Sequence, residues 1–189
     1  MDMLTLTRTR IEESLAVKRA LLDVAPVIAQ AGETLVKAYK TGGQAFFFGN
    51  GGSAADAQHL AAEMLGKFYK DRPALPAQAL STNTSSLTAI GNDYSYDYIF
   101  ARQIEGLGRK GDVAVGISTS GNSKNVIDAL IAAKKKGMLT IGFAGEGGGR
   151  MRELCDVCVC VPSKDTARIQ ECHILVGHLV CEMVEAAMI

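Results

Sequence analysis

Two stretches of this chain follow one plan: a short apolar run, a turn rich in glycine or serine, then helical periodicity. Ala45-Phe46-Phe47-Phe48 leads into Gly49-Asn50-Gly51-Gly52, and Ser53 to Lys67 reads as a helix with Ser53 as its N-cap. Asp112 to Ile117 leads into Ser118-Thr119-Ser120-Gly121-Asn122-Ser123, followed by a helix with Val126, Ile127, Leu130 and Ile131 on its apolar face. Ala77 to Leu80, Leu139 to Ala144 and Val157 to Val161 are further strand candidates, and a long helix runs from about Asp165 to the end. Continuous apolar strands are buried on both faces, which a parallel sheet between two helical layers provides. The expected fold is α/β: a doubly wound, five-stranded parallel sheet flanked by helices. Residues 1–42 precede it as helices divided near Pro26, and their apolar positions, such as Leu15, Leu21, Leu22 and Leu35, suit subunit packing. Nothing along residues 1–189 reads as a linker, so one domain is expected.

Charge narrows the function. Twenty Lys+Arg balance twenty Asp+Glu, whereas a non-specific nucleic-acid binder carries a basic excess. No apolar run is long enough to span a bilayer, and the first residues lack the apolar centre of a secretory signal. Five cysteines, an odd number, fit a reduced cytoplasmic setting.

In a doubly wound sheet, ligands bind beyond the carboxyl ends of the strands. The glycine turn lets backbone approach a ligand, and the helix after it presents free N–H groups. The second turn places four hydroxyls, on Ser118, Thr119, Ser120 and Ser123, at another helix start. Together they make an uncharged cradle for a phosphate. The glycine turn lacks a P-loop lysine and departs from the dinucleotide spacing, so a sugar phosphate is the better expectation. His59 and Glu63, four apart, share one face of the first helix; the remaining histidines, His173 and His178, lie on the last.

Four segments together resemble the phosphoheptose isomerases of the sugar isomerase (SIS) superfamily. They are Gly49 to His59 with Glu63, Leu87-Thr88-Ala89-Ile90-Gly91-Asn92-Asp93-Tyr94, Ser118 to Ser123, and Arg168-Ile169-Gln170-Glu171. The resemblance spans nearly the whole chain. It implies a flavodoxin-like SIS domain that converts sedoheptulose 7-phosphate to D-glycero-D-manno-heptose 7-phosphate, the first step toward ADP- or GDP-heptose for lipopolysaccharide or surface polysaccharide. It also implies a homotetramer with active sites at subunit interfaces and one Zn2+ per subunit. Carried over by position, the zinc ligands are His59, Glu63, Gln170 and His178. Substrate contacts fall on Asn50, Gly51, Gly52, Ser53, Glu63, Asn92, Asp93, Ser118, Thr119, Ser120, Ser123 and Gln170. Some relatives carry an aspartate three residues before the glutamine, where this chain has Ala167.

Ketose–aldose isomerisation moves a proton between C1 and C2 through an enediol, and Glu63 and His178 are the expected acid/base pair. Glu63 cannot easily be both a firm zinc ligand and a free base. Gln170 and His178, eight residues apart, are separated by about 12 Å along a helix. They share one metal only if their side chains lean together or belong to different subunits.

Other features read as packing. Cys158 and Cys160 share one face of a strand, and Cys155, Cys172 and Cys181 are expected to behave as small hydrophobes. Lys134-Lys135-Lys136 reads as a solvated helix end, while Glu171 and His173 suit either support of the site or packing. The competing function is a non-catalytic protein of the DnaA initiator-associating type, which lacks an acid and a histidine at the positions of Glu63 and His178. A sugar-phosphate-sensing regulator would usually carry an attached DNA-binding domain.

Overall fold

A computed structural model describes residues 2–189. The five strands are β1 (Ala45–Gly49), β2 (Ala77–Ala79), β3 (Val113–Ser118), β4 (Leu139–Ala144) and β5 (Val157–Cys160). All pairings are parallel, in the order β2-β1-β3-β4-β5. The helices are α1 (Met3–Ala20), α2 (Ala25–Lys40), α3 (Gly52–Leu65), α4 (Thr84–Asp93), α5 (Ile99–Leu107), α6 (Lys124–Lys135), α7 (Gly149–Leu154) and α8 (Thr166–Ala187). A short 3-10 turn, Leu21–Val24, separates α1 from α2, and Pro26 stands in the first turn of α2, where its missing N–H costs nothing.

Alternate side chains of β1 feed opposite layers. Phe47 joins Leu35, Leu60, Val115, Val176 and Val180 beneath α2, α3 and α8. Phe46 and Phe48 join Phe100, Ile104, Val126, Ile127 and Leu130 beneath α5 and α6. All three rings are buried, and each contributes roughly 1.5–3 kcal/mol. Gly116 of β3 has no Cβ because Val126, Leu130 and the Phe48 ring occupy that space. The helix after β1 packs on one face of the sheet and the helix after β3 on the other. The chain thus diverges between adjacent strands β1 and β3, opening a crevice at their carboxyl ends.

α4, α5 and α7 have no clear signature in the sequence. Residues 84–95 are rich in Ser, Thr, Asn and Asp, which favour turns; Asn83 makes the helix possible by accepting from the Ser86 N–H at 3.0 Å. The six residues of α7 begin at the last of three successive glycines with positive φ, too short a span to show a period. The expected cap of α3 is corrected: Gly51 is the N-cap, and Ser53 lies inside the helix, 2% exposed, donating its backbone N–H to the Asn50 carbonyl at 3.0 Å. A left-handed Gly51 (φ 57°) turns the chain into the helix earlier than a serine cap would.

α8 is held to the sheet by His173, which is fully buried and hydrogen-bonds through Nε2 to the Ala144 carbonyl at 3.1 Å. Burial lowers its pKa from 6.5 to about 4, against the raising effect of that bond. The unfolded chain takes up this proton below about pH 6.5, while the folded chain resists until about pH 4, so stability falls as pH drops through that window. The cost is about 2 kcal/mol near pH 4.5. His173→Phe should therefore lose less stability than wild type between pH 7 and 4.5 in urea unfolding. Equal losses would remove His173 from the acid response.

Candidate active site

The imidazoles of His59 and His178 meet across α3 and α8, with their Nε2 atoms 3.0 Å apart. Glu63 Oε1 stands 3.1 Å from the same His59 nitrogen. The helical spacing seen in the sequence brings His59 and Glu63 together, and packing of α3 against α8 supplies the third group. Among the described residues, these three form the set of His, Cys, Asp and Glu whose ligand atoms all lie within 4.8 Å of one another. Two imidazole nitrogens and a carboxylate, partly open to solvent, can hold a divalent cation or move protons to and from a bound molecule.

The glycine turn opens α3, about 10 Å along the helix from His59, and the serine turn faces it across the crevice between β1 and β3. Gln170, on α8, packs against Gly52: a Cβ on Gly52 would fall 2.5 Å from Gln170 Nε2. In the serine turn, the Ser118 hydroxyl is 2.9 Å from the Ser123 hydroxyl and 3.3 Å from that of Ser120. Ser123 is the N-cap of α6, yet its side chain makes no capping bond. Its hydroxyl joins the cluster instead, leaving the first N–H groups of α6 available to an anion. Thr119 and Ser120 also border a polar cleft of about 240 Å³ with Glu146, Ser163, Lys164 and Thr166. Asn50 and Gly51 border a second cleft, of about 480 Å³, with Gln58, Ser81, Thr88, Gly91 and Tyr96. Asn92 and Asp93 are exposed at the end of α4 and bond each other at 2.9 Å.

A family model described as SIS domain matches residues 12–145. The chain is 56% identical over 166 residues to a phosphoheptose isomerase of Rhodospirillum rubrum, covering 88% of each chain. It is 50% identical over 184 residues to one of Aneurinibacillus thermoaerophilus, covering 96% of this chain and 93% of that one. The solved phosphoheptose isomerase of Neisseria gonorrhoeae superposes with a TM-score of 0.93 at 43% identity, over 98% of this chain and 100% of the other. That of Francisella tularensis gives a TM-score of 0.95 at 35% identity with the same coverage. The chain belongs to the phosphoheptose isomerases, in the SIS family.

Several groups around this isomerase's site carried no readable signal in the sequence. Asp56 lies one turn before His59 on α3; burial pushes its carboxyl up to about 6 against the pull of His59, and its Oδ2 is buried without a hydrogen-bond partner among the described residues. The Phe68 ring lies 5.5 Å from the His178 ring, centroid to centroid. Phe68 is held by Glu185, whose carboxylate accepts the backbone N–H groups of Phe68, Tyr69 and Lys70 at 2.8–2.9 Å. Burial alone would raise that carboxyl, but the three bonds and Arg72 hold it below the usual range. Arg72 in turn donates to the Glu63 and Met64 carbonyls at the end of α3. Glu171 accepts from Ser14 and Arg168, tying α8 to α1. The cysteine trio reads as packing: Cys158, hydrogen-bonded to Cys155, is pushed up to about 12, and Cys160 is raised by Cys158, so both are neutral thiols. All five cysteines are free.

Proposed function

We propose that the chain interconverts sedoheptulose 7-phosphate and D-glycero-D-manno-heptose 7-phosphate through an enediol, the entry step to ADP- or GDP-heptose for lipopolysaccharide or surface polysaccharide. The observation that supports this is the meeting of Glu63, His59 and His178 across α3 and α8, with α3 starting from one of the two donor-rich turns at the β1/β3 crevice. In this reading the serine turn and the start of α6 hold the phosphate, and Gly51, Gly52, Ser53, Asn50 and Gln170 orient the sugar beside the glycine turn. Glu63 carries the proton between C1 and C2, using the carboxylate oxygen not turned toward His59. His178, hydrogen-bonded to His59, exchanges the proton at the neighbouring oxygen. Each such group contributes roughly 10²–10⁴-fold in rate.

The trio also fits zinc, one per subunit. Ligands of a tetrahedral zinc, each about 2.0–2.1 Å from it, stand roughly 3.3 Å apart, close to the separations of 3.0 and 3.1 Å found here. Gln170 is the fourth donor that the family resemblance implies. When bound, zinc would polarise the carbonyl and stabilise the developing negative charge. Removing metal with a chelator should lower turnover at least tenfold, with recovery on adding Zn2+. Unchanged turnover in the metal-free protein would leave the proton-transfer pair standing without it.

The same reading makes the working form a cytoplasmic homotetramer with sites at its interfaces, Asn92 and Asp93 serving the substrate in that assembly. α1 has no buried residue and exposes Met3, Leu4, Ile11 and Leu15, which supports subunit packing there, whereas Leu21 and Leu35, expected in the same role, are spent in this chain's own core. Among the described residues no helix is long and apolar enough to cross a membrane. The decisive assay is incubation of the purified protein with sedoheptulose 7-phosphate. Aldose 7-phosphate product is expected, and its absence at high enzyme concentration would overturn the reading.

A further inference from the structure

Asn125 sits in the first turn of α6, 3% exposed, with a polar side chain where packing alone would favour an apolar one. Its partner is Asn50, 75 residues earlier, at the end of β1. The two amides bond reciprocally. Asn50 Nδ2 donates to Asn125 Oδ1 at 2.8 Å, and Asn125 Nδ2 donates to Asn50 Oδ1 at 2.9 Å. The Tyr96 hydroxyl donates to the same Asn50 oxygen at 3.1 Å. This strap crosses the crevice at the point where the chain diverges, joining the glycine turn to the helix that follows the serine turn.

An amide has two N–H donors and one oxygen with two lone pairs. Asn50 has spent both lone pairs, on Asn125 and Tyr96, and one N–H. One N–H remains. We propose that Asn125 is a positioning residue for the isomerase: it fixes the Asn50 amide so that Asn50 meets the sugar phosphate as a hydrogen-bond donor only, toward a substrate oxygen, and it sets the spacing of the two turns. This rests on the reading above, in which Asn50 contacts the substrate. Without Asn125 only the Tyr96 hydroxyl, which can donate or accept, is left to orient the Asn50 amide, so the amide can turn over and present an oxygen to an oxygen.

The test compares Asn50→Ala, Asn125→Ala, the double variant and Asn125→Asp in sedoheptulose 7-phosphate turnover, with thermal melts to confirm folding. Asn50→Ala and Asn125→Ala should each raise KM about tenfold, with kcat changed less. Because Asn125 acts through Asn50, the double variant should match Asn50→Ala alone. Asn125→Asp gives a readout that a merely structural role would not move. The protonated acid keeps one O–H donor and one carbonyl acceptor in the places of the amide, and so can rebuild the pair. The ionised acid has no donor and sets a negative oxygen against Asn50 Oδ1. Its kcat/KM relative to wild type should therefore recover as pH falls from 8.5 to 5.5, while that of Asn125→Ala stays flat.

Wild-type KM in Asn125→Ala, full additivity in the double variant, or a flat Asn125→Asp ratio would each overturn the proposal while the isomerase reading stands. An unaltered KM in Asn50→Ala would instead remove the substrate contact, and the proposal with it. Wild-type protein without turnover would sink the isomerase reading itself.

Discussion

Replacing Glu63 by glutamine, or His178 by alanine, should each lower kcat for ketose–aldose conversion by about 10²–10⁴-fold with a smaller change in KM. Glutamine keeps the shape of the glutamate but cannot accept the migrating proton. The alanine removes the imidazole whose Nε2 stands 3.0 Å from His59. Both side chains are only partly buried, so the variants should fold and assemble as wild type does. If the two groups serve one proton path, the double variant should be little worse than either single one, since groups that act as a unit are not additive. Near-normal turnover in both single variants would exclude them as the acid/base pair.

Gly121→Ala should damage the serine turn more than any other small substitution there. Gly121 adopts φ 64°, and a Cβ on it would overlap the Gly148 carbonyl, which is backbone and cannot swing aside. The Gly121 carbonyl also accepts the Met151 N–H at 3.1 Å, and Asn122 Oδ1 accepts that of Arg150 at 3.0 Å, so a shift spreads into α7. The left-handed conformation costs about 1–2 kcal/mol for alanine, before the overlap is counted. A fall in melting temperature of about 5–10 °C and a rise in KM of at least tenfold are expected. Gly51→Ala is the control: Gly51 has φ 57° but open space around its Cβ position, so only the conformational cost applies to the fold. Melting temperatures equal for the two variants would show that the contact between the serine turn and Gly148 carries no strain.

What could be read in advance follows from how far apart in the chain the interacting residues lie. β1, β3 and β4 are apolar runs closed by small residues, so the strands and the turns beyond them were legible from local pattern. The period of two separating Cys158 and Cys160 from Val157 and Val159 was legible too, and the valines face the core while the thiols remain partly exposed. α4 was not, because its Ser and Thr residues favour turns until Asn83 caps them. In the site, His59 and Glu63 show themselves by helical spacing, but His178 joins them across 119 residues, and only the family resemblance placed it there. Asn125, Tyr96, Asp56 and Glu185 act through tertiary contacts that leave no local period. Ser53 illustrates a different limit: a residue type that caps helices well was displaced by a glycine able to turn the chain two residues earlier.

The clasp between Glu185 and the segment after α3 makes the last turn of α8 an interior part of the machine. One side chain gathers three consecutive amides, while its neighbour Arg72 grips the carbonyl of Glu63 itself. A substitution in that turn is therefore an intervention at the candidate site, although it lies two turns of helix beyond His178.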